Sequence, residues 1–181
     1  MASQPKYFPN YTVDDYLLWD GDWELIDGIA IAMSPAPVVK HQLVAGRLIT
    51  QLSSAISNKS SCNCNVVHES DWHVNSTSVL RPDIAVLCDG IPDRFIDYPP
   101  SLIVEVLSPS TRDRDEGIKR QIYQREGVKH YWQVDWESKN VLCLMLKNEE
   151  YEKIGAEKGS FQFELHESCG IEIDFEGIFE F

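Results

Sequence analysis

Apolar residues follow two different periods along the chain, and the change of period predicts where helices and strands lie. From Val38 to about Ser57 they recur every three or four positions, which predicts a long amphipathic helix. The segment from Trp23 to Met33 consists of two short apolar runs around Asp27-Gly28, a pattern that predicts a β-hairpin. A capping-box spacing predicts a short helix from Val13 to Trp19.

The central region reads as two buried strands followed by a helix. The runs from Pro82 to Cys88 and from Ser101 to Leu107 have the continuous apolar character of buried strands, and residues 89–98 form the loop between them. The segment from Asp113 to Glu126 carries acids in its first turn and is followed by Gly127, the residue type of a C-cap. A helix is therefore predicted after the second strand.

The remaining segments have the short apolar runs of strands. Turns are predicted at Ser34–Pro37 and Glu157–Ser160, and residues 171–181 are expected to close the domain. The further strand candidates are 66–69, 72–74, 129–135, 140–147, 151–154 and 161–165, the last two as extensions of a meander. The order helix, strands, helix, strands predicts an α/β fold with a mixed, mostly antiparallel central sheet flanked by helices and preceded by an N-terminal hairpin.

Length and composition are those of a globular protein with one domain over residues 1–181. Of the 181 residues, 43% are hydrophobic and 25% charged, and neither repeats nor a linker divide the chain. No run of eighteen apolar residues and no N-terminal secretory pattern is present, so we expect a cytoplasmic protein with no membrane partner. The five cysteines are odd in number and irregularly spaced, which favours buried, reduced thiols.

Net charge bears on the choice of partner. The value of −13 comes from 16 basic and 29 acidic residues, whereas proteins that grip nucleic acid usually present a basic face. The acids crowd the last third of the chain and most basic residues precede residue 130, which leaves room for a locally basic surface near the centre. No phosphate-binding glycine loop or nucleophilic serine elbow is present, so ATP-driven and acyl-transfer chemistry are excluded.

Candidate chemistry lies in the central strands, because each apolar run carries one carboxylate. If the strands are neighbours, alternation allows Asp83 and Glu105 to converge. Two close carboxylates repel unless one is protonated or a divalent cation separates them. Oxygen ligands of this kind suit Mg²⁺ or Mn²⁺.

The following helix adds a cation. Asp115, Lys119 and Tyr123 share one face at four-residue spacing. A lysine beside a metal and two carboxylates could position or deprotonate water, or stabilise the charge that builds on a phosphate. The residues together describe metal-assisted phosphodiester hydrolysis.

Each candidate also has a structural interpretation. Asp83 after a proline can bend a strand entry, and Glu105 can pair with a buried arginine such as Arg81. Lys119 and Asp115 can form a solvent-exposed i,i+4 pair of little energetic value. Further structural roles are packing for Tyr123, a surface position for His41 and a solvated side chain for Glu24.

The same residues resemble a known family. Pro82-Asp83 followed by Glu105 on the next strand is similar to the PD-(D/E)XK signature of restriction-endonuclease-like nucleases. The combination is more narrowly similar to the Uma family of restriction endonucleases, and it spans the chain from Tyr16 to Phe179. The motifs that carry this resemblance are WELIDG at 23–28, MSP at 33–35, His41, RPD at 81–83, PSLIVEVLSPS at 100–110, Lys119, Tyr123 and GVKHYWQVD at 127–135.

The resemblance implies a restriction-endonuclease-like core and a metal site made by Asp83, Glu105 and the backbone carbonyl of Val106. The superfamily pattern places lysine two residues after the acid, where this chain has Leu107; in the narrower family the lysine migrates to the next helix, which points to Lys119. By the same resemblance, two accessory positions lie near the cleft: Glu24, which could hold a second ion, and His41, which could contact metal-bound water or phosphate.

The resulting hypothesis is a Mg²⁺- or Mn²⁺-dependent endonuclease acting on DNA. A homodimer is expected, because two active sites related by a two-fold axis most simply cut both strands of a duplex. Two alternatives from other classes are a catalytically silent nucleic-acid or protein interaction module on the same fold, which the net charge supports, and an oligomeric scaffold that uses exposed aromatic residues.

Overall fold

A computed structural model of the protein describes residues 10–33, 38–155 and 159–181. Helix α1 is Val13–Tyr16, closed by the predicted capping box, and α2 is Val39–Ser57. A central helix, residues 112–125, consists of α3 (Arg112–Arg114), a π-helical turn (Asp115–Lys119) and α4 (Arg120–Arg125). The predicted turn at 34–37, the MSP motif beyond Met33 and the Glu157 end of the second turn lie outside the described residues.

The largest sheet has six strands in the order β10-β9-β8-β7-β6-β3. Only β7 and β8 pair in parallel, because the central helix connects them; the other neighbours are antiparallel. The prediction of a mixed, mostly antiparallel sheet is thus confirmed. The strands are β3 Asn65–His68, β6 Ile84–Leu87, β7 Leu102–Leu107, β8 His130–Asp135, β9 Asn140–Lys147 and β10 Glu150–Lys153.

The predicted hairpin forms, and it belongs to a second sheet. Asp27 and Gly28 both have positive φ, 46° and 78°, the conformation of the tight turn that matches strand twist. A four-stranded sheet in the order β2-β1-β5-β4 results, because β1 also pairs with β5 through Leu25 and Val79. Its strands are β1 Trp23–Ile26, β2 Ile29–Ala32, β4 Trp72–Asn75 and β5 Ser78–Leu80.

One face of the six-stranded sheet is covered by α2 and a C-terminal hairpin. The hairpin is β11 Ser160–His166 with β12 Cys169–Asp174, and it is followed by a 3₁₀ turn at Gly177–Phe179. Strand β11 pairs with β12 and not with β10, so the expected extension of the meander stops at β10. This apolar face packs Leu48 and Leu52 of α2 against Val104 of β7 and Trp132 of β8.

Two disulfides join elements on this side of the sheet. Cys62 bonds to Cys169 and Cys64 bonds to Cys88, while Cys143 is buried and free. The expectation of reduced thiols is therefore wrong for four of the five cysteines. The cause is tertiary: the end of α2 lies against β12 and the start of β3 against the end of β6, which brings the paired Cα atoms within 4.8 and 4.1 Å.

The opposite face of the sheet packs against the central helix and the four-stranded sheet. Tyr123 of α4 stacks on Trp72 of β4 and contacts Tyr131 of β8 edge to face. Strand alternation sends Ile103 and Glu105 toward this side and Val104 toward α2. Among the described residues, no helix is both long and apolar enough to cross a membrane.

Candidate active site

Asp83 and Glu105 meet at the end of two neighbouring strands. Ile84 of β6 pairs with Val104 of β7, so the preceding Asp83 lies opposite Glu105. The Asp83 N–H donates to Glu105 Oε2 at 3.3 Å, and the Val106 N–H donates to Asp83 Oδ2 at 2.7 Å. The structure brings together the two carboxylates that alternation allows to converge.

Lys119 joins them from the central helix. Its Nζ lies 2.9 Å from Glu105 Oε1, 2.9 Å from Glu24 Oε1 and 3.6 Å from Asp115 Oδ1. Lys119 and Asp115 are each only 3% exposed, so the interpretation as a solvated surface pair is wrong. Leu107, where the superfamily pattern has lysine, is buried and packs.

The π-helical turn gives the central helix its irregular path at this point. Tyr131 donates its hydroxyl hydrogen to the Asp115 carbonyl at 2.9 Å, and the Gln133 side chain donates to the same oxygen at 3.4 Å. Side chains of β8 thus bind a backbone group of the turn and tie it to the sheet. Asp115 and Lys119, the two ends of the turn, are both buried beside the strands.

Glu24 and Tyr123 complete the surroundings of the lysine and the glutamate. Glu24 is fully buried and accepts the Arg81 backbone N–H at 3.0 Å, so the solvated reading of this residue is wrong. Tyr123 donates its hydroxyl hydrogen to Glu105 Oε1 at 2.6 Å in addition to packing in the core. Arg114 Nε lies 3.5 Å from Glu24 Oε2, which has no hydrogen-bond partner in the described structure.

His41, in the first turn of α2, is buried at the edge of the site rather than on the surface. Its Nε2 lies 3.2 Å from Asp83 Oδ2. Burial alone lowers the pKa of His41, but Asp83, the Val106 carbonyl and Glu69 outweigh it, and the pKa lies above the ordinary histidine value. The surroundings of His41 therefore favour its protonated form.

Arg81 is not the partner of Glu105. Its Nε binds Asp71 at 2.7 Å and its Nη1 binds Asp22 at 2.7 Å. The structure thus leaves Glu105 with Lys119 as its cation and contradicts the proposed pair with Arg81.

The site has more negative than positive side chains. Four carboxylates, Glu24, Asp83, Glu105 and Asp115, face the cations Lys119 and Arg114 in a cleft of about 800 Å³. Burial raises the pKa of Glu105, reinforced by Asp115 and Asp83 and opposed by Lys119. Burial lowers the pKa of Lys119, but the surrounding carboxylates outweigh burial and raise this pKa well above the ordinary value, which favours the ammonium form.

The donor set fits a hard divalent cation. Asp83 is partly open to the cleft, with a side-chain exposure of 25%, and stands beside Glu105 and the peptide of Val106. Among the described residues no three histidine, cysteine, aspartate or glutamate side chains form a ready-made metal cluster. Mg²⁺ usually binds to one or two protein carboxylates and takes its remaining ligands from water and substrate phosphate. Two carboxylates and one backbone carbonyl are therefore enough protein ligands for this ion.

One member of the cluster, Arg114, is missing from the residues that the sequence identifies. No sequence signal points to Arg114, because its contact with Glu24 depends on how β1 meets the central helix. Asp115 is identified from the sequence only as the partner of Lys119 one helical turn away.

The fold of the chain is similar to that of a solved structure. The crystal structure of a protein described as a "putative nuclease belonging to DUF820" from Anabaena variabilis superposes with a TM-score of 0.73, covering 93% of this chain and 97% of that chain at 16% identity. The two proteins therefore share a fold, mixed α/β with mostly antiparallel sheets and few helices.

Sequence comparison identifies the family. The model of the Uma2 family, described as "Putative restriction endonuclease", matches residues 13–176, and the chain belongs to this family. An uncharacterized protein from Synechocystis sp. is 32% identical over 123 residues, a match that spans 64% of this chain and 63% of that protein. The resemblance stated from the sequence is thus confirmed.

Proposed function

We propose that the protein is a Mg²⁺- or Mn²⁺-dependent endonuclease that hydrolyses DNA phosphodiester bonds. The observation that carries the proposal is the opposition of Asp83 and Glu105 in a cleft where Lys119 is a buried, permanent cation. Membership of the Uma2 family supports the same class of reaction.

Each side chain has a role in this proposal. Asp83, Glu105 and the Val106 carbonyl would hold the metal, which supplies Lewis-acid activation of phosphate and a water of lowered pKa. Lys119 stabilises the negative charge that develops on the phosphate, because its ammonium stays charged throughout. Catalysis by this lysine is electrostatic, not the removal of a proton.

The accessory residues hold these groups in position. His41 Nε2 orients Asp83, and the Tyr123 hydroxyl orients Glu105 by donating to Oε1. Glu24 Oε1 binds the Lys119 ammonium at 2.9 Å, and its Oε2 is left for a further cation or for Arg114. The cluster is rigid because every member is held by a buried partner.

The test is cleavage of plasmid, branched and single-stranded DNA with Mg²⁺, with Mn²⁺ and with EDTA. We expect metal-dependent cleavage that falls by about 10³-fold in Asp83→Asn and in Glu105→Gln, the size expected when a group acting on the transition state is lost. The control is Glu167→Gln, an exposed acid of the β11–β12 turn, which should cleave normally.

Two outcomes would contradict the proposal. One is full activity in Glu105→Gln; the other is inactivity of the folded wild-type protein on every substrate with every metal. In the second case, calorimetry decides the alternative: no Mg²⁺ or Mn²⁺ binding dependent on Asp83 and Glu105 would favour a catalytically silent interaction module. We also infer a homodimer for duplex cleavage, and sedimentation of a monomer at all concentrations would contradict it.

A further inference from the structure

Three cations gather around one aromatic ring beside the cleft. Lys40 Nζ lies 5.1 Å, Lys139 Nζ 5.8 Å and Arg47 Cζ 6.0 Å from the ring centroid of Phe181, and Lys40 Nζ also lies 5.6 Å from the ring of Trp136. We call this group of five residues the α2 shoulder. Its cations come from one face of α2 and from the turn between β8 and β9.

The charges of the α2 shoulder are not neutralised by carboxylates. In the described part of the chain none of its three cations forms an ion pair; Arg47 donates one hydrogen bond to the Ile178 carbonyl. The aromatic rings attract cations through their quadrupole but carry no charge. Three positive charges therefore remain for a ligand, in a chain whose net charge is −13.

The cations inside the cleft differ in this respect. Lys119 is held by Glu24 and Glu105, Arg81 is held by Asp71 and Asp22, and Arg114 lies 3.5 Å from Glu24. Their charges are already balanced by acids, so they provide little net attraction for a polyanion. The sequence allows for a locally basic surface near the centre of the chain. The balanced charges of the cleft do not provide such a surface.

The α2 shoulder is continuous with the cleft. Trp136 lines the cleft and also contacts Lys40, and Lys40 directly precedes His41, the partner of Asp83. The first turn of α2 contains no acidic residue, so the positive end of its helix dipole adds to the same region. A nucleic acid strand that enters the cleft can therefore contact these cations along one continuous path.

We propose that the α2 shoulder binds the phosphate backbone of the nucleic acid strand whose scissile bond lies in the cleft. This inference rests on the proposed nuclease function and adds where the strand leaves the site. The cations neutralise phosphates, and the exposed rings of Phe181 and the half-buried Trp136 offer an apolar edge to sugars or unstacked bases.

The test is DNA binding in EDTA, which separates binding from cleavage. Anisotropy of labelled single-stranded and duplex oligonucleotides is measured between about 50 and 200 mM salt, the range in which phosphate contacts dominate. The test protein combines Lys40→Gln, Arg47→Gln and Lys139→Gln. The control protein loses the same charge at sites away from the shoulder and combines Lys59→Gln, Arg94→Gln and Lys147→Gln.

We expect the test protein to bind at least about tenfold more weakly than wild type at 0.1 M salt. The slope of log K against log salt should fall in magnitude by about 2 to 3, since each lost contact removes about 0.7 on single strands and 0.9 on duplex. The control protein should keep the wild-type slope. Melting temperatures and circular dichroism establish that all three proteins are folded; if the triple variant is not, the single Lys139→Gln variant should lower the slope by about 1.

Three results would overturn the proposal: equal weakening in the test and control proteins, no binding of DNA by the wild type, or tighter binding of a glutamate-rich peptide than of DNA. Failure of the nuclease hypothesis can be distinguished from failure of this proposal. DNA binding that depends on the α2 shoulder, without cleavage, would contradict the nuclease function and support DNA binding by the shoulder.

Discussion

The two faces of the six-stranded sheet are formed by the same strands but bury different kinds of side chain. Toward α2, Val104 and Trp132 belong to an apolar layer joined by a disulfide at β12. Toward the central helix, the neighbouring position on β7 is Glu105, which is equally buried and is surrounded by three further carboxylates and a lysine. One residue of displacement along a strand separates the two environments.

The difference shows where stability and chemistry reside in this protein. On the first face, the apolar contacts and the crosslinks contribute stability that does not depend on pH, and His130 adds a titrating group between the sheet and the C-terminal hairpin. Buried charges cost desolvation energy that their mutual attraction offsets only if every member is present. The apolar face thus supplies stability that offsets the cost of the buried charges in the cleft. Substitutions on the two faces should therefore change the free energy of unfolding by different amounts and with different pH dependence.

The largest expected effect is that of Lys119→Met. It leaves Glu24, Glu105 and Asp115 buried without their shared cation, which should cost about 3 to 5 kcal/mol of unfolding free energy at pH 8. The loss should shrink at pH 5, because carboxylates without the lysine become protonated. Urea unfolding at both pH values measures this, with Lys147→Met on the surface as control. A loss that is the same at both pH values would contradict a charge-based cause.

Next in size is removal of the disulfide on the apolar face. Cys62→Ala with Cys169→Ala should lower the free energy of unfolding by about 4 kcal/mol, because the crosslink closes a long loop in the unfolded chain. Cleavage per folded molecule should not change, since neither cysteine touches the cleft. Urea unfolding of the wild type and of the double variant, each with and without thiol, measures this, because thiol opens both disulfides in the wild type and only Cys64–Cys88 in the variant. Equal stability of the two oxidised proteins would show that the crosslink contributes nothing.

A smaller, pH-dependent effect is expected from His130, which joins the sheet to the C-terminal hairpin. Its Nε2 lies 2.9 Å from the Glu164 carbonyl, and burial lowers its pKa to about 4. The unfolded chain, with a histidine pKa near 6.5, binds the proton first as pH falls, so stability is full above about 6.5 and decreases toward 4. Between pH 7 and 5 the loss should be about 2 kcal/mol.

The measurement for His130 is the difference between wild type and His130→Asn in urea unfolding at pH 7 and pH 5. The free energy of unfolding of the variant should decrease less between pH 7 and pH 5 than that of the wild type, since the variant lacks the titrating group. Parallel curves for the two proteins would contradict a neutral, buried histidine.

The smallest stability effect should be that of Glu105→Gln. Glutamine keeps the shape and gives up the ion pair with Lys119, but Glu24 and Asp115 still balance that lysine and one of the repelling carboxylates is removed. The free energy of unfolding should therefore change by less than about 1 kcal/mol. Loss of cleavage with retained stability would separate chemistry from folding most sharply. A change of several kcal/mol would show instead that Glu105 serves the fold.

The sequence predicts the features that depend on local periodicity. Helix α2 begins one residue after its predicted start and ends at the predicted residue, and β7 is found where the apolar run lies. Asp83 and Glu105 are detectable because a charge in a buried strand is costly and therefore conspicuous. The family resemblance, and not periodicity, selects Lys119.

What the sequence does not predict depends on contacts between distant residues. The disulfide partners are 107 and 24 positions apart, and no spacing rule selects them. Arg114 and Glu24 meet only through the arrangement of two sheets around the central helix. The Asp115 carbonyl of the π-helical turn accepts hydrogen bonds from Tyr131 and Gln133 of β8, an interaction that the helical periodicity of 112–125 does not contain.

The pairing of β1 with β5 through Leu25 and Val79 joins two distant segments of the chain. Closing a loop of this length is slow compared with forming a hairpin or a helix, because its entropy must be lost before the pairing stabilises it. Glu24 lies in β1 and contacts Lys119 at 2.9 Å, so the buried lysine obtains one of its carboxylates from a segment whose docking is slow. We therefore expect the cluster to be completed late in folding, after the hairpin and the central helix have formed.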